Sequence, residues 1–206
     1  MKTASAILML ALAGCATGGP LKSAAMADDP DWHAIATDDD QQRLRGWRDA
    51  WTGATDAVRA AGKGAALDAD PALFGADQAL GTPTPPPGDY RCRWIKLGSA
   101  AASVAAFTAY PAERCQISLV GNATRFRMLD GVQRPRGLIY SDQADRDVFL
   151  GTIQLGDETR PLDYARDEKR DMAGYVERIG AARWRLILPQ PHFESMFDVI
   201  ELVPAA

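Results

Sequence analysis

Histidine is almost missing from this chain, and so is any long apolar run. His33 and His192 are the two imidazoles, and Cys15, Cys92 and Cys115 the three thiols, among 206 residues. So sparse a set excludes the clustered Cys/His ligands of a structural zinc site. The longest apolar stretch, Ala4 to Ala13, is about half the ~20 residues that a membrane-spanning helix needs. Basic residues are outnumbered, 23 against 27 acids for a net charge of −4, and no basic tract interrupts the balance. That distribution argues against nucleic acid and against electrostatic attraction to an anionic membrane. No G-x-S-x-G motif surrounds Ser195. His192-Phe193-Glu194 matches the first half of a zinc deaminase signature, but no P-C-x-x-C follows it. The acidic loop from Gly156 to Asp171 mixes its carboxylates with Arg160, Arg166, Lys169 and Arg170, and lacks the spacing and glycine of a calcium loop. The expectation is a protein without a metal or cofactor.

The N-terminus is informative for what it does contain. One positive charge, Lys2, precedes the apolar run, which ends at small residues, as in a secretory signal peptide. Leu12-Ala13-Gly14-Cys15 resembles the lipobox of bacterial lipoproteins, in which a peptidase cuts before the cysteine and the thiol carries diacylglycerol. The resemblance implies a signal peptide over residues 1–14 and a mature chain that begins at lipidated Cys15. Ala16, where an aspartate commonly retains such proteins in the inner membrane, implies the periplasmic side of the outer membrane. Residues 15–31 are small, polar and Gly/Pro-containing, a flexible tether with an end-to-end distance of roughly 20 Å. The expected membrane partner is therefore reached through lipid.

From Thr37 the pattern is helical. Leu44, Trp47, Trp51, Ala54, Val58 and Ala61 form one apolar stripe at alternating spacings of three and four. Thr37 or Asp38 serves as the N-cap and Gly62 as the C-terminal stop. Two tryptophans on a stripe require a cover, so the helix is expected to dock on the core of the domain. Asp70-Pro71 opens a further helical turn. Residues 32–81 thus form a helical segment, and the proline-rich residues 82–88 a semi-rigid connector that excludes helix and sheet.

Residues 89–206 change to short runs rich in β-branched and aromatic residues, separated by Gly, Pro and Asp. Eight strands are predicted: 90–97, 116–120, 124–129, 137–140, 148–155, 173–179, 184–188 and 197–203. Short turns between them favour antiparallel pairing, which gives an α+β, mainly β fold: a small antiparallel β-barrel with the N-terminal helix packed on it. Alternation sets Trp184, Leu186 and Leu188 against Arg183 and Arg185, Phe126 and Met128 against Arg125 and Arg127, and Trp94 against Arg93. Such arginines are expected on a solvated exterior, the alternative being a charged cavity.

With Cys15 assigned to lipid, Cys92 and Cys115 are expected to form a disulfide in the oxidising periplasm. Glu177, Arg185 and Glu201 fall on successive strands and are expected to align as a cross-strand polar network, either fixing register or lining the barrel mouth. His192, Glu194 and Ser195 are the candidates for a hydrolase. The segments YRCRWIKLG, FRMLDGVQRPRG, RDVFLGT, GYVERIG, RWRLILPQP and ESMFDVIELVP together resemble a family of exported proteobacterial proteins, domain of unknown function 4893. That resemblance implies an exported location and carries no activity or catalytic residues. Two functional expectations follow. One is a non-enzymatic binding or envelope-associated module that takes a small apolar ligand or an envelope protein; the other is an envelope hydrolase.

Overall fold

The computed structural model describes residues 30–205. The leader over residues 1–14, the anchor cysteine Cys15 and most of the tether lie outside the described residues. The helical segment comprises α1 (Trp32–Ile35), α2 (Asp38–Arg45), α3 (Trp47–Ala60), α4 (Gly64–Asp68) and α5 (Pro71–Phe74). Thr37 caps α2 by accepting the Asp40 N–H at 3.2 Å, and Asp70 caps α5 by accepting that of Leu73 at 3.2 Å. Gly62, at φ +73°, follows the end of α3. The one helix expected from the apolar stripe is interrupted at Gly46, yet Leu44 and Trp47 on either side are both buried.

Nine antiparallel strands follow: β1 (Gly88–Leu97), β2 (Phe107–Ala109), β3 (Glu113–Val120), β4 (Ala123–Met128), β5 (Gln133–Ser141), β6 (Arg146–Leu155), β7 (Asp171–Gly180), β8 (Arg183–Pro189) and β9 (Phe197–Pro204). Each of the eight expected strands is present. β3 to β9 pair in sequence order, and β1 pairs with both β3 and β9, from Tyr90↔Pro204 to Leu97↔Phe197, which closes an eight-stranded barrel. Closure removes the free edges of the sheet. The unexpected β2 lies beside Ile95–Leu97, beyond the reach of β3 on β1.

Two apolar cores flank the barrel wall. Inside, Cys92, Trp94, Ile117, Phe126, Phe149, Leu186 and Ile200 belong to one cluster, so the barrel is filled by side chains rather than hollow. Cys92 and Cys115 form a disulfide within it, Cα to Cα 5.8 Å. Outside, Ile95, Val148, Tyr175, Ile187, Phe197 and Val199 pack beneath the helical stripe. Trp51, 3% exposed, meets the Phe197 ring edge-on at 4.9 Å. Burying such side chains stabilises by about 1.5–3 kcal/mol each, which is why the helices stay on the barrel. Arg93, Arg125, Arg127, Arg183 and Arg185 point outward as expected, since their neighbours in alternation are the interior residues, but Arg185 is not solvated: it is 0% exposed beneath the helical layer.

Candidate functional site

Strand polarity puts the β4–β5, β6–β7 and β8–β9 connections at one end of the barrel, together with β2 and the start of β3. At this mouth Lys96 continues the inward register of Cys92 and Trp94, and it is 4% exposed. Its Nζ lies 3.3 Å from Asp198 Oδ2, 3.4 Å from Glu194 Oε2 and 4.7 Å from the centre of the Trp94 ring. Asp198 is fully buried on the inward side of β9, and Ser195 Oγ donates to its Oδ1 at 2.5 Å. Burial pushes the Asp198 carboxyl pKa up, and Lys96 and Ser195 oppose that shift. The lysine and aspartate therefore form a lid of charge over the apolar barrel interior.

Above this lid opens a cleft of about 330 Å³. Trp94, Tyr110, Pro111 and Val132 supply apolar walls, and Glu113 and Glu194 stand at its sides. Pro111 has no N–H, and it sits where the chain passes from β2 to β3. The Tyr110 N–H still reaches the Trp94 carbonyl at 2.9 Å, which fixes that wall against β1. Gly131, at φ +98°, brings the β4–β5 turn against Glu113: a Cβ there would lie 2.5 Å from the carboxylate. The β8–β9 loop is joined to the β1–β2 loop by the Ala100 N–H, which donates to the Glu194 carbonyl at 2.9 Å. Glu194 holds φ +68°, in the left-handed region unfavourable to a non-glycine residue. Lys96 meets Asp198 and Glu194, and Glu113 also lines the cleft, so the cleft is acidic with aromatic walls, suited to an apolar group or a hydrogen-bond donor.

The expected polar row forms in register. Arg146↔Glu177, Glu177↔Arg185, Arg185↔Glu201 and Glu201↔Arg93 are all direct cross-strand partners. The side chains divide it in two, and both parts face outward, away from the mouth. Arg185 and Glu177 are each 0% exposed and joined at 2.6 and 2.7 Å. Arg185 also donates to the carbonyls of Leu73 (2.7 Å) and Gly75 (2.8 Å), and its guanidinium lies 4.9 Å from the Trp51 ring centre. Burial pulls its pKa below the usual guanidinium range, and Glu177 opposes that shift. Glu201 instead accepts from Arg93 at 2.9 Å and Arg183 at 2.7 Å, and Arg183 also holds Asp70. Hydrogen bonding from Arg183 holds the Asp70 carboxyl below its usual pKa.

His192, Glu194 and Ser195 turn to different partners. Glu194 approaches Lys96 and Ser195 binds Asp198, whereas exposed His192 borders a separate narrow cleft with Arg43, Asp171 and Met172. Partial desolvation beside that cleft, and then Arg43, lower the His192 pKa. Lys96, Asp198 and Tyr110 are the mouth residues that the sequence reading passed over. The signal for Lys96 was its parity with Cys92 and Trp94.

A family model described as Domain of unknown function (DUF4893) matches residues 32–202. The chain belongs to that family. The DUF4893 match begins at the first residue of α1 and runs into β9, so it takes in the helical layer, the barrel and the whole mouth cleft. No curated protein and no solved structure matches the chain.

Proposed function

We propose that this protein is a lipid-anchored module on the periplasmic face of the bacterial outer membrane, and that it acts by binding rather than catalysis. The binding surface is the mouth cleft. The observation that carries the reading is the filled barrel beneath it: a partner has no deep cavity to enter and must engage the rim, where Tyr110 is 42% and Val132 78% exposed. A cleft of about 330 Å³ matches the lower end of small-ligand sites and equally takes one anchoring side chain of an envelope protein. Its lysine and serine are already committed to Asp198 and Glu194, so neither Lys96 nor Ser195 is free to serve as a base or nucleophile there. The alternative, an envelope hydrolase on His192, Glu194 and Ser195, lacks a comparable observation.

Anchoring through Cys15 follows from the lipobox resemblance. Each buried CH₂ contributes about 0.8 kcal/mol, so two or more acyl chains hold a protein on a bilayer without help from its surface charge. Cys15→Ala is expected to abolish labelling by palmitate and to release the chain from the membrane fraction. For the cleft, a photo-crosslinking residue at Val132 is compared with one at Leu119, 62% exposed near the opposite end of the barrel. Adducts in the native envelope at position 132 and not at 119 support the proposal; equal labelling, or none, rejects it.

A further inference from the structure

The uncovered part of the barrel wall carries a second cleft, distinct from the mouth and from the helix-covered network. It is about 340 Å³ in volume and lies between the outer faces of β4, β5 and β6, the β6–β7 loop and α1. Arg125 on β4 and Arg136 on β5 line it, and Arg127 stands directly across from Arg136 in register. Like charges placed opposite one another on adjacent strands destabilise a sheet. Among the described residues none of the three has a carboxylate within ion-pair distance. Arg127 donates to the Gln116 amide oxygen at 2.6 Å, and Arg136 reaches that of Gln154 only at 3.5 Å. Arg125 makes no hydrogen bond or ion pair among the described residues. Burial, then Arg125 and Arg127, pull the Arg136 pKa down, and Asp163, the one carboxylate lining the cleft, opposes them.

A separate observation points to a ligand. Thr152 lies opposite Arg136 across β5 and β6, and it borders the same cleft. Its residue is 3% exposed, yet its hydroxyl has no hydrogen-bond partner. Buried polar atoms are ordinarily satisfied, so an unpaired hydroxyl beside two under-used guanidiniums describes a place where an oxyanion would complete the bonding. The remaining walls are apolar: Ile35, Leu138, Leu150 and Leu162, with the ring of Tyr164.

We propose that this cleft binds an amphipathic anion, its phosphate or carboxylate head held by Arg125, Arg136 and Thr152 and its apolar body lying against Leu138, Leu150 and Tyr164. Guanidinium groups suit such heads because their planar forks give paired charge-assisted bonds. The ligand is either a soluble aryl or acyl anion or an acidic lipid with the same head chemistry.

The test titrates the full-length chain in neutral nanodiscs, by calorimetry, with 1-naphthyl phosphate, 1-naphthoate, 1-naphthol and inorganic phosphate. At least one naphthyl anion should bind saturably, with neutral 1-naphthol and inorganic phosphate each weaker by about tenfold or more. Arg125→Gln and Arg136→Gln should each weaken the anion by about tenfold, and Thr152→Val severalfold. Displacement of the probe by phosphatidylglycerol vesicles, and not by phosphatidylcholine, assigns the head to a lipid; its absence assigns a soluble ligand. Thermal midpoints of both arginine variants should be unchanged or raised, because a like-charge contact is relieved. No saturable anion binding, equal affinity for 1-naphthol, unaffected binding in Arg136→Gln, or a fall in midpoint in both arginine variants would overturn the assignment.

Discussion

Arg185 and Arg136 stand on the outer wall of the same barrel, and their surroundings differ in every respect that matters for charge. Arg185 lies under the helices with its guanidinium shared among Glu177, two backbone carbonyls and the Trp51 ring. Arg136 lies on the uncovered side, opposite another arginine, with one long contact to an amide. An ion removed from water is tolerated only when its hydrogen bonds are replaced, which explains the dense pairing under the helices. The open side keeps enough solvent to leave arginines unpaired, and what is left unpaired remains available to a partner. One wall thus holds the fold together, and the other presents charge.

The largest expected effect comes from breaking the covered pair. Glu177→Ala leaves the Arg185 charge buried without its counterion, and Arg185→Ala strips the partner from Glu177 Oε2, leaving that carboxylate only Arg146 at 3.3 Å, and bares the carbonyls of Leu73 and Gly75. Each is expected to cost about 3–5 kcal/mol in urea unfolding at neutral pH. Arg136→Gln, measured alongside, should change stability by less than about 0.5 kcal/mol. A loss of under about 1 kcal/mol for Glu177→Ala would erase the distinction between the two sides.

A middle case sharpens the comparison. Arg183 lies at the margin of the helical layer, with its side chain 27% exposed, and bridges Asp70 of the α5 cap to Glu201 on β9. Partial solvent access weakens each pair, so Arg183→Ala is expected to cost about 1–2 kcal/mol, between the covered and open extremes. Chemical denaturation reads it directly, and a loss as large as that of Arg185→Ala would show that burial does not set the scale.

How far these differences were legible in the sequence depends on range. Alternation within each strand is local, so the strands, the inward residues and the outward arginines could be read from spacing alone. The interruption at Gly46 could not, because the apolar stripe continues in phase across it. β2 escaped because three residues, Phe107 to Ala109, carry no periodicity, and their pairing depends on β1. Arg185 reads as a solvated outward residue until the helices cover it, a consequence of packing between segments over a hundred residues apart. Lys96 escaped for the opposite reason. A charge at an inward position contradicts the pattern, and its counterion Asp198 lies on β9 at the far end of the sequence.

The smallest expected effect tests the boundary between the two sides, where Asp171 begins β7 opposite Thr152. Its carboxylate accepts the Ala165 N–H at 3.1 Å, and burial, with Asp40 and Asp167 nearby and Arg43 opposing, pushes its pKa up to about 6. Unfolded, the group titrates near 3.8, so the native chain binds more protons between about pH 4 and pH 6. Stability associated with Asp171 is therefore present below that window and lost as pH rises through it. Asp171→Asn keeps an acceptor for Ala165 without the charge. The variant should match the parent in thermal midpoint near pH 4 and exceed it modestly at pH 7.5, giving a flatter profile between. Equal slopes for the two proteins across the window would mean that Asp171 ionises in the fold as freely as an exposed acid, and that the boundary belongs with the open side.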